Sequence, residues 1–209
     1  MHWVGCTVSD IEAVIFDWGG VLIEDPAPGL MQYCADALGV SVEQYVAAHQ
    51  KFQDDFQKGL VAEDVFWTRI CGELQRPLPD VESLWGDAFR AVYVEQVEMF
   101  DLARSFKSRG VKTGFLSNTE APAMQYFHTL GYDMFDRTVF SCAEGIRKPE
   151  KRIYELTVER LKTTASRAVF IDDSPQYIDG ARQAGLNTIL FQSITEAKQQ
   201  LKELGLEVD

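Results

Sequence analysis

Residues 13–22 read AVIFDWGGVL, an apolar run that ends abruptly on a carboxylate. Ala13 to Phe16 is too short for a helix and shows no alternation, as expected of a strand covered on both faces. Asp17 follows at its C-terminal end, and Gly19 and Gly20 then let the backbone turn. In parallel sheets ligands bind at the C-terminal ends of strands. An acid fixed there is placed for chemistry, although an Asp at a strand end also caps helices. Position alone leaves both roles open.

Four further apolar runs have the same character: Thr113–Leu116, Thr138–Phe140, Ala168–Ile171 and Thr188–Phe191. Helical spacing lies between them. Val94–Ser108 carries apolar residues on one side before Gly110, and Pro149–Leu161 opens with a proline. Pro175–Ala184 stops at Gly185, and Ser193–Leu204 opens with a capping box, Ser193 to Glu196. Strands alternating with helices predict an α/β, Rossmann-like, doubly wound parallel sheet.

One segment breaks that rhythm. Between Gly29 and Arg90 only helical patterns occur. Ser41 and Gln44 form a capping box for a helix running toward Lys58; Ala62–Leu74 and Asp80–Phe89 follow. The sequence therefore predicts an α/β core domain over 1–28 and 91–209, with an inserted helical cap domain over 29–90. Residues 1–10 read as a short tail.

Composition limits the partners. A chain of 209 residues, 46% hydrophobic, can bury a full core. A formal net charge of -12 leaves no basic stripe for nucleic acid and repels an anionic membrane surface. It also repels phosphate esters unless the site supplies cations. Cys6, Cys34, Cys71 and Cys142 contain no C-x-x-C pair and read as free thiols. His2, His49 and His128 are too scattered for a metal cluster. No apolar run reaches the ~18 residues of a membrane span. A cytoplasmic enzyme, monomeric or homodimeric, is the expectation.

Four groups of residues carry chemistry. The first is Asp17 with Gly19. The second is Ser117-Asn118-Thr119, where a hydroxyl and an amide at a strand end can hold an oxyanion or cap the next helix. The third is Lys148, in GIRKP before a helix-starting proline, a cation set against the helix dipole. The fourth is Asp172-Asp173, adjacent carboxylates after a buried strand. They need a counter-ion, and a hard divalent cation such as Mg²⁺ suits them; surface capping aspartates would look the same.

In this order, FDxxG, SNT, RKPExxIYE and FIDDxxxxxxGAxxAG resemble the motif set of the haloacid dehalogenase-like superfamily. The resemblance runs from Ala13 to about Leu204 and includes the helical cap. Within the superfamily the chain is similar to phosphatases acting on sugar phosphates and to the phosphatase domain fused to some epoxide hydrolases. The resemblance implies an Mg²⁺-dependent phosphomonoesterase acting on a small phosphorylated metabolite through an aspartyl-phosphate on Asp17. It implies that Asp17, the Gly19 carbonyl and Asp173 hold the metal. Ser117, Asn118 and Lys148 would bind the phosphate, and Asp172 would position Lys148 or a metal-bound water.

The chain departs from that pattern at Gly19, where most such phosphatases carry a second Asp as general acid and base. The departure predicts better hydrolysis of aryl or acyl than of alkyl phosphates. It keeps three alternatives open. A haloacid dehalogenase also lacks that Asp, but has no use for paired carboxylates. A phosphonate hydrolase needs a cap lysine, here Lys51 or Lys58. The third is a catalytically weak module that binds a phosphorylated ligand. Gln50, Gln53, Gln57, Lys58 and Trp67 of the cap suit a sugar, as they equally suit a solvated face or a core. Gln176 and Tyr177 are suggestive in the same way, and Trp18 either serves the site or packs on the cap.

Overall fold

The computed structural model describes residues 10–208; Cys6, His2 and most of the expected tail lie outside them. Its centre is β1 (Ala13–Phe16), flanked by β2 (Lys112–Ser117) and β4 (Ala168–Asp172), with β3 (Arg137–Phe140) and β5 (Asn187–Leu190) at the edges. All pairs are parallel, in the order β3-β2-β1-β4-β5. The sheet is the predicted one, each strand shifted by no more than a residue at either end. The chain winds outward from β1 in one direction through β2 and β3, and in the other through β4 and β5. The switch point therefore falls between β1 and β4, where such sheets bind ligands.

Both faces are covered, which explains the unbroken apolar runs. Val14 and Phe16 point to the side holding Phe100 and Phe106 of α5 (Val97–Ser108) and Phe127 of α6 (Ala121–Thr129). Ala13 and Ile15 point to the opposite side, against Ile153 and Tyr154 of α8 (Lys151–Arg160) and Ile178 of α9 (Pro175–Gln183). A short α7 (Ser141–Glu144) follows β3, and α10 (Ile194–Glu203) closes the described chain.

Four helices stand between β1 and α5: α1 (Ala27–Leu38), α2 (Val42–Gln57), α3 (Glu63–Leu74) and α4 (Leu84–Val92). They pack on one another around Tyr45, Phe56, Phe66, Trp67, Ile70 and Trp85, all buried. The capping box of α2 is formed in both directions. Helix α4 starts four residues later than the spacing suggested. Ser83 caps it by accepting from Gly86 N, and Glu63 of α3 accepts from both Ser83 Oγ and Trp85 N. No helix among the described residues is long and apolar enough to cross a membrane, and Cys34, Cys71 and Cys142 are free thiols.

Candidate active site

The register of the sheet assembles the site. Phe16 is level with Phe115 on β2 and with Ile171 on β4, so Asp17 emerges beside the ends of both neighbours. Its backbone N–H donates to Ile171 O at 3.0 Å. Lys148 arrives from the loop after α7 and inserts its ammonium between two carboxylates, 2.7 Å from Asp17 Oδ1 and 2.6 Å from Asp172 Oδ2. Asp172 and Lys148 are fully buried and Asp17 is 6% exposed. Asp172 Oδ1 accepts from Ser174 N at 2.8 Å, so both its oxygens are engaged.

One cation thus serves two buried carboxylates. Burial pushes Asp17 well above the usual carboxylate range; the Lys148 ammonium pulls it back and the Asp172 charge adds to the rise. Burial works against the charge on Lys148, but the two aspartates outweigh it and raise its pKa. Partial desolvation and the charge of Asp172 push Asp173 upward too. One carboxylate oxygen from each of Asp17, Asp172 and Asp173 lies within 4.8 Å of the others. Such a cluster is short of positive charge and offers the hard oxygen donors that a divalent cation prefers. Gly20 keeps the cluster compact: at φ 78°, a Cβ there would stand 2.1 Å from Asp173 Oδ2.

The Asn118 side chain faces the lysine loop. Its Nδ2 donates to Lys148 O at 2.9 Å and its Oδ1 accepts from Lys148 N at 2.8 Å. This clamp fixes the lysine backbone and leaves the Asn118 backbone N–H as what that position can offer an anion. Ser117, at the end of β2, is 4% exposed on the cavity wall. The cavity has a volume of about 380 Å³, within the range of small-molecule sites. Asp17, Gly19, Ser117, Asn118, Lys148 and Asp173 share it, while Asp172 stands behind Lys148, outside the lining.

Of the helical residues named from the sequence, Gln50, Gln53 and Gln57 line the cavity, as does Tyr177; Lys58, Trp67 and Gln176 do not. Lys58 is paired with Asp54 and Glu150 at 3.0 Å each, and Lys51 with Glu73 at 2.7 Å. Among the described residues Lys148 is the one lysine on the wall, so neither lysine needed for phosphonate hydrolysis is in place. Trp67 is buried and donates to Glu63. Trp18 is packed between Phe89 of α4, centroids 4.8 Å apart, and Phe115 and Phe127 on the sheet side.

Sequence reasoning missed His49, Trp85, Phe89 and Glu120, which also line the wall. His49 stacks on Trp85 at an interplanar angle of 3°. Burial and the Arg147 charge lower its pKa to about 4, so its ring is neutral. Glu120, 4% exposed, accepts from Trp85 Nε1 at 3.0 Å. Burial raises its pKa to about 7, against the pull of Gln57, its own backbone, Trp85 and Arg147. In the sequence it looked like the start of α6, and it does hold the N-cap position, but without a side-chain capping bond.

Known proteins resemble this chain in sequence and fold. A mouse protein, acyl-CoA dehydrogenase family member 10, is 29% identical over 98% of this chain; the chain spans only 20% of its length. A sesquiterpene phosphatase of Aspergillus oryzae is 25% identical over 87% of this chain and 89% of its own. A HAD family enzyme of Bacteroides thetaiotaomicron, crystallised with magnesium and inorganic phosphate, superposes with a TM-score of 0.71. It is 20% identical over 90% of this chain and 98% of its own, a likeness of fold. The family model for haloacid dehalogenase-like hydrolases matches residues 11–185. With a parallel sheet whose switch point holds Asp17, Lys148 and the Asp172-Asp173 pair, the chain belongs to the haloacid dehalogenase-like hydrolases.

Proposed function

We propose that this hydrolase is a magnesium-dependent phosphatase of a small phosphorylated metabolite, with Asp17 as nucleophile. The observation that carries the reading is the Asp17–Lys148–Asp172 arrangement: one oxygen of Asp17 is tied to Lys148 at 2.7 Å, which orients the carboxylate at the cavity floor. In this reading residues 29–90, which hold all of α1–α4 but the first two residues of α1 and the last two of α4, act as a cap over a core formed by 1–28 and 91–209.

The residues present fit magnesium. Asp17, Asp173 and the carbonyl of Gly19 would hold it, since both oxygens of Asp172 are already engaged. The bound ion would offset charge between the nucleophile and the phosphate dianion. Ser117 Oγ, the Asn118 N–H and Lys148 would bind the phosphoryl oxygens. Asp17 attacks phosphorus in line, the ester oxygen departs, and water then hydrolyses the aspartyl-phosphate. Lys148, held by Asp172 and by the Asn118 clamp, sits ready before substrate arrives and stabilises the charge developing on the phosphoryl group. The relatives named phosphatases support the reading, as does the magnesium and phosphate complex of the Bacteroides enzyme.

The test is phosphate release from p-nitrophenyl phosphate, with Mg²⁺ and with a chelator, by the wild type and Asp17→Asn. Turnover by the wild type that requires the metal and disappears in the variant is the expected result. Asp17→Asn protein that turns over at the wild-type rate would sink the proposal. A folded wild type that releases no phosphate would instead direct attention to 2-haloacids, because dehalogenases also lack an acid at the position of Gly19.

A further inference from the structure

A leaving alcohol needs a proton, and the position next to the nucleophile offers none. A Cβ at Gly19 would stand 3.0 Å from Pro26 Cδ, so a side chain there would press on the chain entering α1. Besides Asp17, Lys148 and Asp173, the titratable residues on the described wall are Asp25, His49, Glu120 and Tyr177. Asp25 is exposed, and its Oδ1 accepts from Ala27 N at 3.0 Å. His49 is neutral and so is not an acid at neutral pH. Tyr177 turns its ring toward Lys148, 4.8 Å from the ammonium, on the phosphate side.

Glu120 differs from all three. It lies three residues past Ser117, yet its Oε2 is held by Trp85 Nε1 of α4. It therefore stands where the strand ends meet the helical wall, the direction in which a group leaving the phosphate must extend. Resting on the phosphatase reading above, we propose that Glu120 is the catalytic residue that protonates the leaving oxygen, replacing the acid missing at Gly19.

As Asp17 bonds to phosphorus and the bond to the ester oxygen breaks, the Glu120 proton passes to that oxygen. An alcohol departs and Glu120 is left as a carboxylate. Water then attacks the aspartyl-phosphate and gives its proton to Glu120, the bond between Asp17 and phosphorus breaks, and both acids return to their starting states. The group is poised for both directions, with a pKa of about 7 caused by burial. The titratable groups facing it are Arg147, whose charge opposes the rise, and Cys34, Tyr45 and Cys142, which burial keeps uncharged. Neutral His49 stands behind Trp85. With Glu120 in this role, the preference for aryl and acyl phosphates expected from Gly19 belongs to the variant lacking it.

The experiment compares the wild type, Glu120→Gln, Glu120→Asp and Asp25→Asn on p-nitrophenyl phosphate and on alkyl phosphates (glycerol 1-phosphate and hexose phosphates). Glutamine keeps the acceptor for Trp85, and thermal melting verifies the fold. Glu120→Gln should lower kcat on alkyl phosphates by about 10²–10⁴-fold with little change in KM. The initial burst of p-nitrophenolate, which leaves without a proton, should persist. Wild-type kcat/KM on alkyl esters needs Glu120 protonated, so it should fall as pH rises through about 7. Glu120→Gln should lose that limb, and Glu120→Asp should regain part of the rate. Loss of the p-nitrophenolate burst in Glu120→Gln, no loss on alkyl phosphates, or a selective loss in Asp25→Asn would each overturn the assignment. So would a wild type active on p-nitrophenyl phosphate alone. A wild type inactive on every ester would remove the phosphatase reading and this proposal with it.

Discussion

Lys148 shows how much one residue carries here. It is wholly buried, and its ammonium is the counter-ion of Asp17 and Asp172 together. Removing one member of a buried ion pair costs about 3–5 kcal/mol, because the charge left behind has lost both water and partner. Lys148→Met should therefore lower stability by an amount of that order at pH 8. The deficit should shrink toward pH 4, where Asp17, raised by burial and stripped of its cation, takes up a proton. Urea denaturation at the two pH values measures it, and a pH-independent deficit would contradict this account. That Asp17, Lys148 and the aspartate pair stand out was legible because each follows a buried strand or precedes a proline. Glu120 was not. Its environment depends on Trp85, 35 residues away in the chain, and no local pattern announces that bond.

Among elements, the joint between α2 and the end of β3 has the tightest geometry. Gln57 O, at the last residue of α2, accepts from Ser141 Oγ at 2.6 Å, and the same oxygen of Ser141 accepts from Thr119 N at 2.9 Å. Gly59 follows at φ 66°, where a Cβ would stand 2.0 Å from the backbone oxygen of Cys142. Alanine there meets both a left-handed backbone, costing about 1–2 kcal/mol, and a backbone atom that cannot turn aside. Gly59→Ala should lower the unfolding free energy by more than about 2 kcal/mol. A urea midpoint within error of the wild type would show that the joint yields. The sequence marked α2 by its capping box, a local signal. It misjudged the start of α4, because Glu63 of a neighbouring helix fixes that end through Ser83 and Trp85.

At the scale of the whole molecule, the sheet was the most legible feature, since strands covered on both faces have to be apolar throughout. The cavity was the least, because its walls come from α1, α2, α4, β2 and α9 and from the loops after β1, β2, α7 and β4. One feature of that wall bears on kinetics. Lys148 is the sole described lysine or arginine on it, beside Asp17, Asp25, Glu120 and Asp173, in a chain of formal charge -12. Enzymes that steer an oppositely charged substrate slow down as salt screens the attraction. Here a phosphate dianion approaches like charge. Adding NaCl shortens the Debye length, about 10 Å at 0.1 M, and should weaken the repulsion. At saturating Mg²⁺, kcat/KM for p-nitrophenyl phosphate is expected to rise with ionic strength while kcat holds steady. A fall would mean that the bound cation dominates the approach. The rise would mark a site whose attraction begins only at contact, and whose inorganic phosphate is expelled by the same field that hinders entry.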